Sequence, residues 1–171
     1  MPNQPLIAVD TNVLIDLAYH NGIVMDCFST ISRKFPQAPI IVPPTVIAEL
    51  ADLATDGDTE SEKISALTTL GKIRRQWGFN PINCVPGGHG MVEETARKIR
   101  AAGLIPEEEI HNSFVIAESA LANATLLLSS DDHMRDINQA ALGELLERHH
   151  VRRLIIFSPA KIVNDFYNSV H

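Results

Sequence analysis

Three carboxylates in this chain each follow a short apolar run: Asp10 after Leu6-Ile7-Ala8-Val9, Glu49 after Ile40-Ile41-Val42, and Asp131 after Leu126-Leu127-Leu128. Apolar runs of this length, bounded by turn signals, suit strands buried on both faces of a parallel sheet. The carboxyl ends of such strands are where α/β proteins build their sites. Acids gathered at one sheet edge repel one another unless they are protonated or share a cation. Hard oxygen donors of this kind suit Mg²⁺ or Mn²⁺. The pattern therefore predicts a divalent-metal site.

The elements that must position these acids follow a simple rhythm. Strand-like runs fall near 6–9, 40–42, 82–85, 125–128 and 154–157, separated by segments long enough for one or two helices each. That alternation predicts right-handed βαβ crossovers and a parallel sheet of about five strands with helices on both faces. Pro43-Pro44-Thr45 is expected to open a helix, with threonine as its cap. Pro106-Glu107-Glu108-Glu109 is expected to open another, its acids favoured by the helix dipole. Ser158-Pro159-Ala160 starts a last helix through Phe166 and Tyr167, while Gly87-Gly88-His89-Gly90 reads as a mobile turn. Near 52–80, the turn-prone Asp56-Gly57-Asp58-Thr59-Glu60 and helically spaced Ile64, Leu67, Leu70 and Ile73 predict a helical hairpin. Core packing is its expected role. Covering a sheet edge, forming a homodimer, or presenting Lys72, Arg74 and Arg75 to nucleic acid are the alternatives.

At 171 residues, 45% of them hydrophobic, the chain can bury one sizeable core, so a single domain over 1–171 is expected. No apolar stretch is long enough to cross a membrane, and Met1-Pro2-Asn3-Gln4-Pro5 lacks the basic flank of a signal peptide. Both features predict a cytoplasmic protein. Cys27 and Cys84 lie too far apart in sequence for a C-x-x-C site and are expected to be reduced, buried packing residues. A formal net charge of −7 argues against binding nucleic acid through a broad basic surface. It leaves a nuclease open, because a bound cation reverses the sign that a phosphate meets. The groups Arg97, Lys98, Arg100 and Arg148, Arg152, Arg153 read first as solvated helix faces.

The residues around the acids resemble those of PIN domains, the fold of VapC-like toxin ribonucleases and related nucleases. Ile7-Ala8-Val9-Asp10-Thr11-Asn12 is similar to the first motif of that family, an apolar strand followed by Asp, Ser or Thr, and Asn. Val42-Pro43-Pro44-Thr45-Val46-Ile47-Ala48-Glu49 is similar to its strand, turn and Glu-bearing helix, and Thr125-Leu126-Leu127-Leu128-Ser129-Ser130-Asp131 to its last strand and Asp. The resemblance spans nearly the whole chain. It implies a PIN-like three-layer fold in which Asp10, Glu49 and Asp131 hold Mg²⁺ or Mn²⁺, with Thr11, Asn12 and Ser129 fixing the ligands by hydrogen bonds.

One position departs from that pattern. The family's further Asp, seven residues before a small Ala, falls on Ser113 when counted back from Ala120. Glu109 is the expected substitute, four residues earlier and so on the same helix face, with Asn112 second. Glu118 is less well aligned, about 140° around the helix. The resemblance implies hydrolysis of RNA phosphodiester bonds by metal-activated water, leaving 5′-phosphate and 3′-hydroxyl ends, and an antitoxin protein as partner. Arg97, Lys98 and Arg100 are the candidates for flanking phosphates. The loss of a carboxylate at Ser113 keeps a second reading in view, a PIN-like RNA-binding or protein-interaction module without turnover.

Overall fold

The computed structural model describes residues 4–167. Met1-Pro2-Asn3, on which most of the leader argument rests, and residues 168–171 lie outside the described residues. In chain order the elements are β1 (Ile7–Val9), α1 (Thr11–Ala18), α2 (Gly22–Lys34), β2 (Ile40–Val42), α3 (Pro44–Asp56), α4 (Glu60–Arg75) and β3 (Asn80–Pro81). They continue with α5 (Gly88–Ala101), α6 (Ile110–Leu121), β4 (Leu126–Leu128), α7 (Asp132–Arg135), α8 (Gln139–Arg148), β5 (Ile155–Phe157) and α9 (Pro159–Tyr167).

The five strands form one all-parallel sheet in the order β3-β2-β1-β4-β5, a PIN-like α/β three-layer arrangement. β1 is central, and Ile7, Ala8 and Val9 are all fully buried, which explains why this strand is an unbroken apolar run. Ile7 sits opposite Ile40 on one side and Leu126 on the other. Because the chain leaves β1 first toward β2 and later returns to add β4, the direction of winding reverses between β1 and β4. A crevice opens there, outside the strand ends. Asp10 extends that seam by donating its backbone N–H to Leu128 O at 2.9 Å.

Several expectations shift on the structure. The third strand is Asn80–Pro81 rather than 82–85. It lies at the sheet edge, where a proline's missing N–H costs nothing, and Ile82 N extends the pairing with a bond to Val42 O. The hairpin is built from α3 and α4, so its first helix starts at Pro44, well before residue 52. Thr59 and Glu62 close a capping box at its turn. Gly57 ends α3 where a Cβ would meet Leu53 O at 2.6 Å. The packed face of α4 is Ala66, Thr69 and Ile73, whereas Ile64 and Leu67 stay 58% and 65% exposed. Core packing is thus overturned for those two: the close approach of α3 and α1 selects the small side chains.

Helix starts also differ. His89 and Gly90 belong to the first turn of α5, which Gly87 caps at φ +86°, so this segment is not a free turn. α6 begins at Ile110, leaving Glu107, Glu108 and Glu109 ahead of it. Thr45 does not cap α3 with its side chain; Pro44 holds the first turn. The last helix is as expected, with Ser158 Oγ accepting from Lys161 N at 3.1 Å. Cys27 is buried, and burial pushes its thiol up to about 12, but Cys84 is exposed, against expectation. No helix among the described residues is long and apolar enough to cross a membrane.

Candidate metal centre

Asp10 directly follows β1 and caps α1, its Oδ1 accepting from Thr11 N at 2.8 Å. Its other oxygen, Oδ2, accepts from the Ser129 hydroxyl at 2.7 Å, across the seam from the end of β4. The same Ser129 Oγ accepts from Asp131 N at 3.1 Å, so one hydroxyl ties the first acid to the backbone of the last. Asn12 accepts from Ser130 N at 3.4 Å, a longer contact that draws the two strand ends together.

Glu49 arrives from α3, whose next residue, Leu50, is fully buried and anchors the helix. Truncating such a leucine to alanine costs about 2–5 kcal/mol, which measures how firmly the turn carrying Glu49 is held. The Thr11 hydroxyl donates to Glu49 Oε2 rather than to Asp10, so Thr11 serves two acids at once: its N–H holds one and its side chain the other.

A third group stands beside them that the sequence reading passed over. His111, in the first turn of α6, places Nε2 at 2.8 Å from Glu49 Oε2. Asp10, Glu49 and His111 each offer a ligand atom within 4.8 Å of the other two. His111 Nε2 is buried, yet at this short range it completes no well-directed hydrogen bond. An imidazole beside two acids was detectable as a ligand type next to Asn112. Its facing depended on where α6 begins.

The remaining expected residues lie at varied distance from this centre. Asp131 and Asn112 line the same cleft of about 190 Å³ as Asp10, Thr11, Glu49 and His111. Asp131 also caps α7, its Oδ1 accepting from His133 N and Met134 N. Glu109 does not line that cleft. It precedes α6 instead of riding on it, accepts from Asn112 Nδ2 at 2.7 Å, and lies 3.5 Å from His133 Nε2. Ser113 is fully buried, donates to Ile110 O and accepts from Arg100. Glu118 turns to the start of α3, where both its oxygens accept from Thr45, one from N–H and one from the hydroxyl, each at 2.9 Å.

Charge balance favours a cation. Burial raises the Asp10 carboxyl above its ordinary range, opposed by the Ser129 and Thr11 hydrogen bonds, while Glu49 raises it further. For Glu49, burial is outweighed by His111 and Thr11, which hold its carboxyl below the usual range. His111 is raised in turn, chiefly by Glu49. No Lys or Arg lines the cleft. The basic candidates have partners of their own: Arg97 and Lys98 pair with Glu94, and Arg100 with Ser113. A buried carboxylate, a second acid and an imidazole nitrogen, their ligand atoms within 4.8 Å of one another, form a donor set that fits a divalent ion.

No protein-family model and no curated protein matches this chain. Among solved structures, the chain is similar to one in the crystal structure of VapBC2 from Rickettsia felis bound to a DNA fragment from their promoter. That likeness has 14% identity and a TM-score of 0.59, and covers 90% of this chain and 98% of that one. At this identity the likeness establishes the fold.

Proposed function

We propose that the chain is a divalent-metal-dependent endoribonuclease of the VapC-like kind, a single domain over 1–171 acting in the cytoplasm. The observation that carries this reading is the meeting of Asp10, Glu49 and His111 ligand atoms within 4.8 Å at the point where the sheet reverses its winding. Asp10 and Glu49 would hold Mg²⁺ or Mn²⁺, with Asp131 and Asn112 lining the same cleft and Glu109 outside it. When bound, such an ion lowers the pKa of a water, neutralises the scissile phosphate and stabilises the leaving oxygen.

The chain's own side chains do the positioning. Ser129 and Thr11 N–H fix both oxygens of Asp10, and the Thr11 hydroxyl fixes Glu49, so neither acid has to reorganise when substrate arrives. Since the cleft lacks Lys and Arg, phosphate attraction at its centre depends on the ion. His133, half exposed and 3.5 Å from Glu109, would meet a flanking phosphate. The exposed Ile64 and Leu67 of α4, next to a Tyr19 hydroxyl bonded to Ser65, supply an apolar face for a protein partner, an antitoxin or a second copy in a homodimer.

The test is cleavage of end-labelled single-stranded RNA with Mg²⁺ or Mn²⁺. Cleavage that stops with EDTA and with Asp10→Asn supports the enzyme. RNA binding without cleavage by the unaltered chain at any metal concentration would leave the non-catalytic module standing instead.

A further inference from the structure

We propose that His111 is a direct ligand of the bound ion, its Nε2 supplying the donor that Ser113 lacks, and that this imidazole biases the site toward Mn²⁺ over Mg²⁺. The inference rests on the metal-dependent reading above and adds a residue and a selectivity to it.

Position is the first argument. The carboxylates considered as substitutes are otherwise committed: Glu109 lies outside the cleft and accepts from Asn112, and Glu118 is spent on Thr45. Among the described histidines, cysteines and acids, His111 is the one whose ligand atom converges with those of Asp10 and Glu49, while Asn112, in the same cleft, donates its amide to Glu109. Geometry is the second. Two donors that each lie about 2.1 Å from one ion, at right angles, are separated by about 3 Å. The His111 to Glu49 separation of 2.8 Å, an ion pair in the metal-free protein, is close to that value, so an ion could take the proton's place between them with little movement.

Chemistry supplies the selectivity. Mg²⁺ is served by carboxylate, carbonyl and water oxygens, whereas imidazole nitrogen favours transition-metal ions. An all-carboxylate site has no such preference built in. Exchanging one acid for a histidine also removes a negative charge, which weakens the purely electrostatic attraction on which Mg²⁺ relies.

Pulsed electron paramagnetic resonance of Mn²⁺ bound to the full chain tests the assignment without reference to cleavage. The unaltered protein should show nitrogen-14 modulation from one imidazole, and His111→Ala should lose it. His111→Ala should also bind Mn²⁺ about tenfold or more weakly, with a smaller change for Mg²⁺. Bound Mn²⁺ without nitrogen coupling, or coupling that survives in His111→Ala, overturns the proposal while leaving the metal-dependent reading intact. Failure of the unaltered chain to bind Mn²⁺ at all removes both. Because the first measurement needs no variant, a misfolded His111→Ala protein would not blunt it.

Discussion

Ser129 Oγ donates to Asp10 Oδ2 at 2.7 Å, joining residues 119 positions apart across the seam between β1 and β4. The bond holds one oxygen of a buried acid in place, and the same hydroxyl receives Asp131 N. Ser129→Ala leaves both groups short of a partner at a buried position beside the cleft. It should cost about 1–3 kcal/mol of stability. It should also weaken metal binding by about 10- to 100-fold, because a ligand without its supporting hydrogen bond samples other rotamers. Denaturant unfolding in EDTA and calorimetric Mn²⁺ titration measure the two effects separately. Unchanged metal affinity would show that Asp10 is oriented by Thr11 alone.

Glu118 sets the start of α3. Its two oxygens receive the N–H and hydroxyl of Thr45, four residues before Glu49, so the pair fixes the helix that delivers the second acid. Burial raises the Glu118 carboxyl, against the lowering effect of both Thr45 bonds. Glu118→Gln keeps an acceptor for Thr45 N and a second polar atom for the hydroxyl, and should leave stability nearly unchanged. Glu118→Ala strands the Thr45 N–H and should destabilise by about 1–3 kcal/mol. Equal losses for the two variants, by thermal unfolding, would mean that the negative charge matters more than the hydrogen bonds.

Much of this arrangement was legible in the sequence, for an identifiable reason. Asp10, Glu49 and Asp131 each follow a strand that is buried on both faces, and a parallel sheet leaves few places for such strand ends to go. What the sequence hid depended on helix starts. With α6 taken from Pro106, Glu109 rides the helix in line with Ser113. With α6 starting at Ile110, Glu109 falls outside and His111 faces the acids. A shift of one helical turn exchanges one candidate ligand for another. The α4 face was hidden for a different reason: the spacing of Ile64, Leu67, Leu70 and Ile73 is helical, but tight packing selected Ala66 and Thr69 instead. Edge strand β3, only two residues long and containing Pro81, carries almost no strand signal.

In metal-free protein, the Glu49–His111 pair should give a pH-limited contribution to stability. His111 is raised above its usual 6.5, so its share is fully present below that value and is lost as pH rises through the higher folded-state pKa. Glu49 is lowered below its usual 4.5, so its share is present above that value and is lost as pH falls through the lower folded-state pKa. Both shares are complete between those limits. Asp10, raised by burial, contributes with the opposite slope to Glu49 and favours lower pH. Comparing the unaltered protein with His111→Gln in EDTA cancels much of that background. The difference in melting temperature should be largest at mildly acidic pH and shrink above neutrality. A difference that is constant with pH would show that the pair carries no net charge coupling.

Asp10→Asn should move stability and activity in opposite directions. An ionised carboxylate at Asp10 is 4% exposed and raised in pKa by its burial, so without a cation its charge is only partly offset, by His111 beside it. Asparagine keeps the acceptor for Thr11 N, and its amide can donate to the Ser129 oxygen that now donates to Asp10, so the local bonds survive in changed polarity. The charge, and with it the strongest reason for a divalent ion to enter, is gone. In EDTA the variant should therefore melt at a temperature equal to or above that of the unaltered chain, while RNA cleavage with Mn²⁺ is abolished and the melting temperature no longer rises on adding metal. Thermal unfolding with and without Mn²⁺, set beside the cleavage assay, reads all three. A lower melting temperature in EDTA would show that the Asp10 charge is already balanced within the protein, by His111, and that the apo site is not waiting on a cation.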